Sequence, residues 1–366
     1  MRVFVVSPYH GGSHAAWAEG WARHSSHELH LLTMDARFWK WRMFGAATTL
    51  ALEAERLVGE FGPPDAVVAT DMLDLPGFLG RARRVLGDPV SILYMHENQL
   101  TYPLAEGAAE DLTYAFINWQ SMEAADATWW NSAFHRDEVL RSLPVLLGRF
   151  PDHRHGDLLA AVADRMEVMP VGVEVDDLPM GPKDGPPVIL WNHRWEYDKD
   201  PAAFLAALEA VDDLEWGLAL CGERFATLPS ELDVVVDRFS ERLVHDGYAD
   251  RATYASLLGR SLVAVSTARQ EFFGISVVEA AAAGAAVLLP DRLAYPEVIP
   301  DAFHPDVLYT DEHDLAHRLR GLLVDAVETA QGARTLAEEV RSRYGWASLA
   351  PSYDEALAEI VAGRNP

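Results

Sequence analysis

The feature that most constrains the fold of this chain is a regular alternation of short apolar runs with amphipathic segments of helical length. A strand followed by a helix, repeated several times, forms a parallel sheet that helices cover on both faces. In the first half of the chain the predicted strands are residues 3–7, 29–32, 66–69, 90–95, 127–130 and 167–169, and the predicted helices are residues 14–23, 46–60, 76–84, 108–124 and 136–143.

The alternation stops once and then restarts. Residues 176–187 contain four prolines and two glycines, a composition typical of a linker. We therefore predict an α/β protein of two Rossmann-like domains, residues 1–175 and 176–345, whose parallel sheets face an inter-domain cleft. In the second domain the predicted strands are residues 188–191, 215–219, 242–245, 262–266 and 286–289, and the predicted helices are residues 201–210, 251–258, 277–283 and 315–323.

Length and composition agree with this organisation. A chain of 366 residues is long enough for two domains with their own cores. No apolar run approaches the roughly 18 residues of a membrane span, and the short apolar run after Arg2 is too short for a signal peptide. Cys221 is the one cysteine, which fits a reducing compartment. We expect a cytoplasmic protein that does not engage a membrane.

The charge is strongly negative and unevenly distributed. The chain carries 30 Lys and Arg against 56 Asp and Glu, a net charge of −26, which argues against nonspecific nucleic-acid binding. Residues 1–170 carry 14 basic and 22 acidic residues, net −8, whereas residues 171–366 carry 16 and 34, net −18. An extended anionic partner is therefore expected on the first half.

Three segments follow predicted strands and hold polar groups where α/β sheets bind ligands. The first is the loop of Gly11, Gly12, Ser13 and His14, which indicates either a close approach to an anionic ligand or a tight turn with Ser13 as helix cap. It does not contain the GxGxxG pattern of dinucleotide sites. The second follows residues 90–95 and holds His96, Glu97, Asn98 and Gln99, which form either a binding site or a hydrogen-bonded polar loop.

The third segment, residues 191–201, opens the second domain and contains Arg194 and Lys199. Arg binds a diphosphate as a fork and Lys as a point charge. The alternative is a surface ion network with Glu196, Asp198 and Asp200.

The strongest local signal is the segment of residues 271–279, where Glu271 and Glu279 have seven residues between them across a predicted strand-to-helix turn. Glu271 is expected in the loop and Glu279 two turns into the helix. Backbone N–H groups at the helix start bind phosphate, and the carboxylates accept bonds from sugar hydroxyls on either side. The residues after Glu279 form a small-residue helix, a glycine cap and a buried strand, which favours a binding site over a solvated helix face.

This segment resembles the EX7E motif of family-4 retaining glycosyltransferases, which have the GT-B fold. The Gly11–Gly12 loop, His96 and the Arg194 and Lys199 pair match that family in order along the chain. In that family the second domain binds a nucleotide-sugar and the first binds the acceptor. A C-terminal helix commonly returns to the first domain, a role that residues 346–366 would take here.

Longer motifs resemble the tRNA-queuosine mannosyltransferase group, whose animal members transfer mannose from GDP-mannose to queuosine in tRNA. They lie in residues 11–14, 39–42, 96–103, 151–154, 193–201 and 271–274. The resemblance implies a retaining hexosyltransferase without a metal or other cofactor, acting on queuosine-containing tRNA. A long insertion that we associate with animal members before residue 193 is absent.

The resemblance also implies roles for individual residues. His96, Arg194, Lys199 and Glu271 would be catalytic: His96 near the sugar 6-hydroxyl, Arg194 and Lys199 on the departing diphosphate, and Glu271 on sugar hydroxyls. Glu279 would bind the ribose. The remaining donor-binding residues would be Gly11, Gly12, Phe273, Gly274 and Ile275, and the acceptor-binding residues would be Ser13, His14, Lys40, Arg42, Glu97, Asn98, Gln99, His153 and Arg154.

The segment of residues 37–42 mixes cations with aromatic residues, a composition suited to stacking a base and holding its phosphate. With Arg81, Arg83 and Arg84 it is the best candidate for a tRNA-facing surface. The alternative is a helix whose aromatic residues lie in the core and whose cations are solvated. Two histidines at residues 153 and 155 lack the partners of a metal site.

Four functions remain open from the residues. The first is a glycosyltransferase acting on tRNA queuosine. The second performs the same chemistry with another nucleotide-sugar on a small molecule, lipid or polysaccharide, which the acidic surface favours. The third is a GT-B-fold epimerase of sugar nucleotides, and the fourth a noncatalytic module that binds them. The sequence does not fix the oligomeric state.

Overall fold

A computed structural model describes residues 1–103, 111–183, 185–222 and 230–364. Two compact units divide the chain. Unit 1 is Met1–Gly172 together with Trp346–Pro366, and unit 2 is Val173–Gly345. The boundary lies three residues before the predicted end of the first domain, where Val173 donates its N–H to Tyr344 O at 2.8 Å within unit 2.

Unit 1 contains a six-stranded, fully parallel sheet in the order β2-β1-β3-β4-β5-β6. The central strands consist almost entirely of buried residues, as expected for a parallel sheet covered on both faces. Its strands are β1 Arg2–His10, β2 Glu28–Asp35, β3 Ala66–Thr70, β4 Val90–Met95, β5 Ala127–Trp130 and β6 Met166–Val168. Its helices are α1 Gly12–His24, α2 Trp39–Phe61, α3 Leu75–Leu86, α4 Leu112–Ala124, α5 Ala133–Gly148, α6 Leu159–Ala163 and the C-terminal α15 Trp346–Arg364.

The C-terminal helix α15 belongs to unit 1 although the whole of unit 2 precedes it. Tyr353 is fully buried, and its hydroxyl accepts from Trp17 Nε1 at 3.1 Å and lies 3.0 Å from Met169 O. The carboxylate of Asp354 accepts four hydrogen bonds from the end of α1, including those from Trp21 Nε1 and Ser25 Oγ. These polar anchors fix the helix on the first sheet.

Unit 2 contains a second six-stranded parallel sheet in the order β12-β11-β10-β7-β8-β9. Its strands are β7 Val188–Trp191, β8 Gly217–Cys221, β9 Leu243–Gly247, β10 Val263–Val265, β11 Ala286–Pro290 and β12 Leu308–Tyr309. Its helices are α7 Pro201–Glu209, α8 Ser230–Arg238, α9 Arg251–Arg260, α10 Ile275–Ala282, α11 Tyr295–Val298, α12 His304–Val307, α13 Glu312–Val324 and α14 Ala326–Tyr344.

The α/β prediction of two parallel sheets is confirmed, and the differences concern element boundaries. Helix α2 starts at Trp39, seven residues before the predicted start. The residue before it, Phe38, is left-handed and provides no side-chain cap, so the usual sequence signal of a helix start is missing. Some elements were also not predicted at all: the two-residue strand β12 and the helices α6, α8, α11, α12 and α14. Residues 108–110 of the predicted fourth helix, and residue 184 of the predicted linker, lie outside the described residues.

Candidate active site

Two loops meet at the carboxyl edge of the second sheet. One follows β7 and the other follows β10, and these strands pair directly, with Ile189 opposite Val263 and Leu190 opposite Ala264. Because parallel strands end at the same edge, the segment of residues 192–200 comes to lie beside the segment of residues 266–274, far away in sequence.

Lys199 is the centre of this edge. Its Nζ lies 3.1 Å from Asp198 Oδ2 and 3.3 Å from Glu271 Oε2, and it donates to Gln270 O at 2.8 Å. The residue is 6% exposed. Burial opposes the charged form, but the carboxylates of Glu271 and Asp198 raise the pKa of Lys199 above its ordinary value. The ammonium is therefore a fixed positive charge.

Arg194 lies in the same loop but in a different environment. Its side chain is about half exposed, and Nη2 lies 3.3 Å from Glu196 Oε2. Burial raises the pKa of Glu196, while the neighbouring Arg194 charge opposes that shift. Thus the ion network proposed as the alternative is present, and it leaves one cation buried and one at the surface.

The turn into α10 requires a glycine. Gly274 has φ of +91°, and a Cβ there would come within 3.0 Å of Tyr295 Cε1 and 3.4 Å of Glu271 Cγ. The helix starts at Ile275, and its first N–H groups have no acceptor within the helix, so this end attracts anions. Phe273, also predicted to bind the donor, is 4% exposed and packs into the core of the turn.

Glu279 lies one turn into α10, rather than the predicted two turns, because the left-handed Gly274 stays outside the helix. Its carboxylate pairs with Arg251 Nη1 at 2.8 Å and accepts from Tyr254 Oη at 3.1 Å. That hydroxyl accepts from Asn192 Nδ2 at 3.0 Å. Burial raises the pKa of Glu279, and both partners of the carboxylate oppose that shift.

In unit 1, three neighbouring strands hold the loop that contains His96. Its backbone N–H donates to Asp71 Oδ1 at 2.9 Å, and its carbonyl accepts from Asn131 Nδ2 at 2.8 Å. Asp71 follows β3, His96 follows β4 and Asn131 follows β5. Burial and the nearby Glu97 raise the pKa of Asp71 well above its ordinary value.

The imidazole of His96 is buried and electrically neutral. It packs at 4.1 Å between ring centroids on His14 and at 5.3 Å, edge-on, against Trp17. Burial, followed by the charges of His14 and His135, lowers the pKa of His96 well below its ordinary value. Within the described part of the chain, neither ring nitrogen has a hydrogen-bond partner. A neutral imidazole offers one donor and one acceptor to a ligand.

His135 fastens the rest of this loop. Its Nδ1 lies 2.8 Å from Asn131 Oδ1, and its Nε2 lies 3.0 Å from Asn98 Nδ2. Asn98 in turn accepts from the N–H groups of Leu100 and Thr101. Burial lowers the pKa of His135 to about 3, so the ring is neutral and structural. Asn98, predicted to bind the acceptor, is occupied by these contacts.

The neighbours of Asn98 are also tied together. Gln99 donates from Nε2 to Glu97 Oε1 at 3.0 Å, and its backbone N–H donates to Asn118 Oδ1 at 2.9 Å. The loop thus has the hydrogen-bonded character proposed as the alternative. The ring of His96 is the part of it that is directed away from this network.

The first glycine loop brings predicted donor and acceptor residues beside His96. Gly11 is extended, and a Cβ there would come within 2.5 Å of Ala36 Cβ, whereas Gly12 has φ of +52°. Helix α1 starts at Gly12 with no side-chain cap, so the expectation that Ser13 caps it is wrong. His14 is 5% exposed and stacks on His96.

The segment of residues 37–42 matches neither prediction completely. Arg42, predicted to bind the acceptor, is 9% exposed and donates from Nε and Nη2 to Asp35 O at 3.3 and 3.1 Å, which removes it from solvent. Lys40 is exposed, with Nζ 5.5 Å from the Trp39 ring centroid. Phe38 and Trp41 are 76% and 62% exposed, so these aromatic residues do not lie in the core.

His153 and Arg154 lie on the surface after α5. His153 has φ of 44°, and Arg154 donates from Nε to Phe150 O at 2.8 Å. They line a pocket with Phe116 and Leu147. Their role in acceptor binding stays a prediction.

Several residues of both sites were not identified from the sequence. Asn131 and Asn192 each follow a predicted strand directly, and Asp71 lies two residues after one, so their place at the carboxyl edge was a usable signal. The partners on α5 and α9 had none, because they lie inside helices that pack over the site. The residues concerned are Asp71, Asn131, His135, Asn192, Arg251 and Tyr254.

Two features are absent from the described residues. No group of three or more His, Cys, Asp or Glu side chains is placed to hold a metal ion. Among the same residues, no helix is both long and apolar enough to cross a membrane.

Each half of the chain matches a known family. Residues 2–173 match the family described as tRNA-queuosine alpha-mannosyltransferase N-terminal, and residues 178–339 match glycosyl transferases group 1. The two matches divide the chain close to the boundary between unit 1 and unit 2.

Comparisons with individual proteins also find glycosyltransferases. The tRNA-queuosine alpha-mannosyltransferase of Drosophila melanogaster is 28% identical over 335 residues, which cover 87% of this chain and 86% of that protein. The GDP-mannose:cellobiosyl-diphosphopolyprenol alpha-mannosyltransferase of Xanthomonas oryzae is 25% identical over 54% of each chain. The structure of sucrose-phosphate synthase from Thermosynechococcus elongatus superposes with a TM-score of 0.76 at 15% identity, covering 99% of this chain and 100% of that one, which shows a shared fold.

Proposed function

From the premise that this chain is a glycosyltransferase of the GT-B fold, we propose that it transfers mannose from GDP-mannose to queuosine in tRNA with retention of anomeric configuration. The observation that carries the proposal is the family that the first half of the chain matches. Residues 2–173, the acceptor side in this fold, match the family named for queuosine mannosylation, and the second half matches a general glycosyltransferase family.

We assign the nucleotide-sugar to the carboxyl edge of the second sheet. Lys199 is charged there and held between Asp198 and Glu271, and it would stabilise negative charge on the departing diphosphate. The exposed fork of Arg194 would bind the same group with two parallel hydrogen bonds. These two cations, together with the start of α10, account for a diphosphate without a metal ion.

The two glutamates would bind the sugar hydroxyls at either end of the diphosphate. Glu271 contacts Lys199 through Oε2, so its other oxygen and remaining lone pairs are available to hydroxyls of the transferred sugar. Glu279 is compensated by Arg251 and Tyr254, and it would accept from the ribose hydroxyls while staying ionised.

His96 would contact the transferred sugar from unit 1. Because its ring is neutral, it can donate to one sugar oxygen and accept from another, without adding charge beside a forming oxocarbenium ion. The leaving phosphate would take the proton of the attacking hydroxyl, so no base of the enzyme is needed for the step. In this transfer step the bond from the anomeric carbon to the phosphate oxygen breaks. The bond from the anomeric carbon to the acceptor oxygen forms on the same face of the sugar.

The direct test is mannose transfer in vitro. Purified protein, radiolabelled GDP-mannose and tRNA bearing queuosine should give labelled tRNA, while the same tRNA with guanine at that position should stay unlabelled. Absence of label with queuosine tRNA at low salt would reject the acceptor assignment.

A lipid-linked acceptor is the second candidate. It is favoured by the net charge of −26 and by the Xanthomonas oryzae relative, whose name gives a diphosphopolyprenol acceptor. Label transferred to a polyprenol-linked oligosaccharide, and not to tRNA, would support it instead. Thermal shift against GDP-, UDP- and ADP-sugars would test the donor separately, because a ligand at 100 times its Kd stabilises a protein by roughly 2.7 kcal/mol.

A further inference from the structure

The surface formed by the start of α2 has two properties that are unusual in this protein. Eleven large hydrophobic side chains are exposed among the described residues, and four of them lie within residues 38–52. They are Phe38 at 76%, Trp41 at 62%, Phe44 at 49% and Leu52 at 63%. Apolar groups this concentrated on a surface indicate a binding site.

The second property is charge. Residues 36–52 contain three cations and no carboxylate, and residues 75–87, which form α3 and its end, contain three more cations and again no carboxylate. The two helices lie side by side, since Arg81 Nε donates to Thr48 Oγ1 at 2.9 Å. Arg42 is buried, so five of these cations face solvent: Arg37, Lys40, Arg81, Arg83 and Arg84. In a chain of 56 acidic residues these two stretches carry no carboxylate of their own, and Asp111 lies close enough to Lys40 to interact with its charge.

The backbone at Phe38 is strained in a way that keeps this side chain outward. Phe38 adopts φ 54° and ψ 50°, a left-handed conformation that is unfavourable for a bulky residue. The turn is pinned by Arg42, whose guanidinium bonds Asp35 O, and by the N–H groups of Trp41 and Arg42, which donate to Phe38 O. An aromatic side chain held in solvent at such a cost has a function other than packing.

The side chain of Trp41 is exposed but also held in position by a contact with its own helix. Its indole packs over Gly45, one turn further along α2, where a Cβ would come within 2.5 Å of the ring atom Cε2. One side of the ring therefore covers the helix backbone and the other side faces solvent. A ring that lies on the helix offers a face for stacking but does not project as a wedge into a lipid layer.

We propose that this aromatic–basic surface binds unpaired bases of an RNA loop, with Trp41 and Phe38 stacking on bases and the surrounding cations holding the phosphates. Aromatic faces beside cations are how proteins bind single-stranded nucleic acid. The proposal rests on the proposed function, because it gives the tRNA acceptor a docking surface. This proposal differs from the proposed function because it concerns RNA binding, which can be measured without mannose transfer.

The experiment is fluorescence anisotropy with a labelled, unmodified RNA anticodon stem-loop at several salt concentrations. Trp41→Ala and Phe38→Ala should each weaken binding about tenfold with an unchanged salt slope, because a stacked base contributes roughly 1–3 kcal/mol. Trp41→Phe should restore most of the affinity. Tyr248→Ala, which removes an aromatic residue that is 79% exposed in unit 2, should leave binding unchanged.

A second variant excludes misfolding as the cause. Gly45→Ala increases helix propensity, so it should not lower Tm, but the new methyl group displaces the Trp41 ring. It should weaken RNA binding several-fold. The proposal is overturned if the aromatic variants bind within twofold of the parent, if the parent does not bind RNA, or if the variants instead lose binding to phosphatidylserine vesicles that the parent binds. Parent protein that binds RNA through these residues but transfers no mannose would reject the proposed function and leave this surface assigned.

Discussion

The two units place different chemistry at the same edge of the same kind of sheet. In unit 1 the edge holds the neutral imidazoles of His96 and His135, and the ring of His96 packs at a tilt against that of His14. In unit 2 it holds buried charges, with Lys199 between two carboxylates and Glu279 paired with Arg251. Unit 1 carries 15 basic and 25 acidic residues, net −10, and unit 2 carries 15 and 31, net −16.

On the proposed assignments, this difference would adapt one kind of sheet edge to two kinds of ligand. A diphosphate carries charge, and a binding site for it needs cations whose own charge is compensated while the site is empty. Hydroxyl groups carry none, and neutral donors and acceptors bind them at lower desolvation cost. The overall acidity of a unit therefore does not determine what its edge binds, because a few buried groups decide the local field.

The largest expected effect would follow from removing the charges of the unit 2 edge. Lys199→Ala and Glu271→Ala should each lower kcat/KM by at least about 100-fold, because loss of one preorganised electrostatic contact costs roughly 3 kcal/mol. Lys183→Ala is the matched control, since that ammonium contacts only the carbonyls of Gly259 and Ser261 among the described atoms. Near-normal turnover by folded Lys199→Ala would show that the buried charge at the unit 2 edge is not needed for transfer.

Acid should destabilise both units for the same reason. Burial lowers the pKa of His135 in unit 1 and of His193 in unit 2 to about 3, against about 6.5 when unfolded. The unfolded chain then binds more protons below pH 6.5, so stability is intact above that pH and falls as the pH drops toward 3. Each histidine should contribute a slope of about 1.4 kcal/mol per pH unit in urea unfolding. A free energy of unfolding that stays flat from pH 7 to 5 would contradict the assignment of neutral, buried imidazoles.

The next largest effect on stability should come from Asp354, which anchors the C-terminal helix α15. Asp354→Ala leaves the donors of Trp21, Ser25 and Ser26 without their acceptor, which should lower the free energy of unfolding of unit 1 by about 2–3 kcal/mol. Glu355→Ala, one residue along the same helix and exposed, is the control. Urea unfolding monitored by tryptophan fluorescence measures both, and equal stability of the two variants would show that the anchor is dispensable.

Removing two exposed cations, one just before α2 and one in its first turn, should have a smaller effect. Arg37→Ala with Lys40→Ala should flatten the log–log salt dependence of tRNA binding by about 1.4 to 1.8, since each phosphate contact contributes roughly 0.7–0.9. Affinity for GDP-mannose should stay the same, because neither Arg37 nor Lys40 is among the residues assigned to the donor. A salt slope equal to that of the parent would place the phosphate contacts elsewhere.

The smallest expected effect is that of a chelator. We expect transfer to continue in EDTA, because on the proposed assignment Arg194 and Lys199 would supply two positive charges to the diphosphate. Initial rates with and without EDTA, and after adding magnesium or manganese back, test this. Activity that disappears with EDTA and returns with the ion would mean that the charges of unit 2 are insufficient.

Much of this molecule could be predicted from sequence because it depends on local pattern. The two series of strands and helices follow from apolar runs of strand length, and the site loops follow from polar residues at the ends of those strands. The turn at Gly274 and the places of Arg194, Lys199, Glu271 and His96 at sheet edges belong to this class. They needed only the rule that parallel strands end together.

Contacts between distant segments needed the tertiary structure. Lys199 meets Glu271, 72 residues away, and His96 meets Asp71 and the network of His135 only after the strands assemble. No sequence pattern distinguished Arg42, which is turned inward onto Asp35 O, from the exposed Lys40. Nor did any pattern indicate that Phe38 would be held in solvent. These outcomes are set by packing between elements, whose energy depends on three-dimensional neighbours, whereas strand and helix patterns are written in adjacent residues.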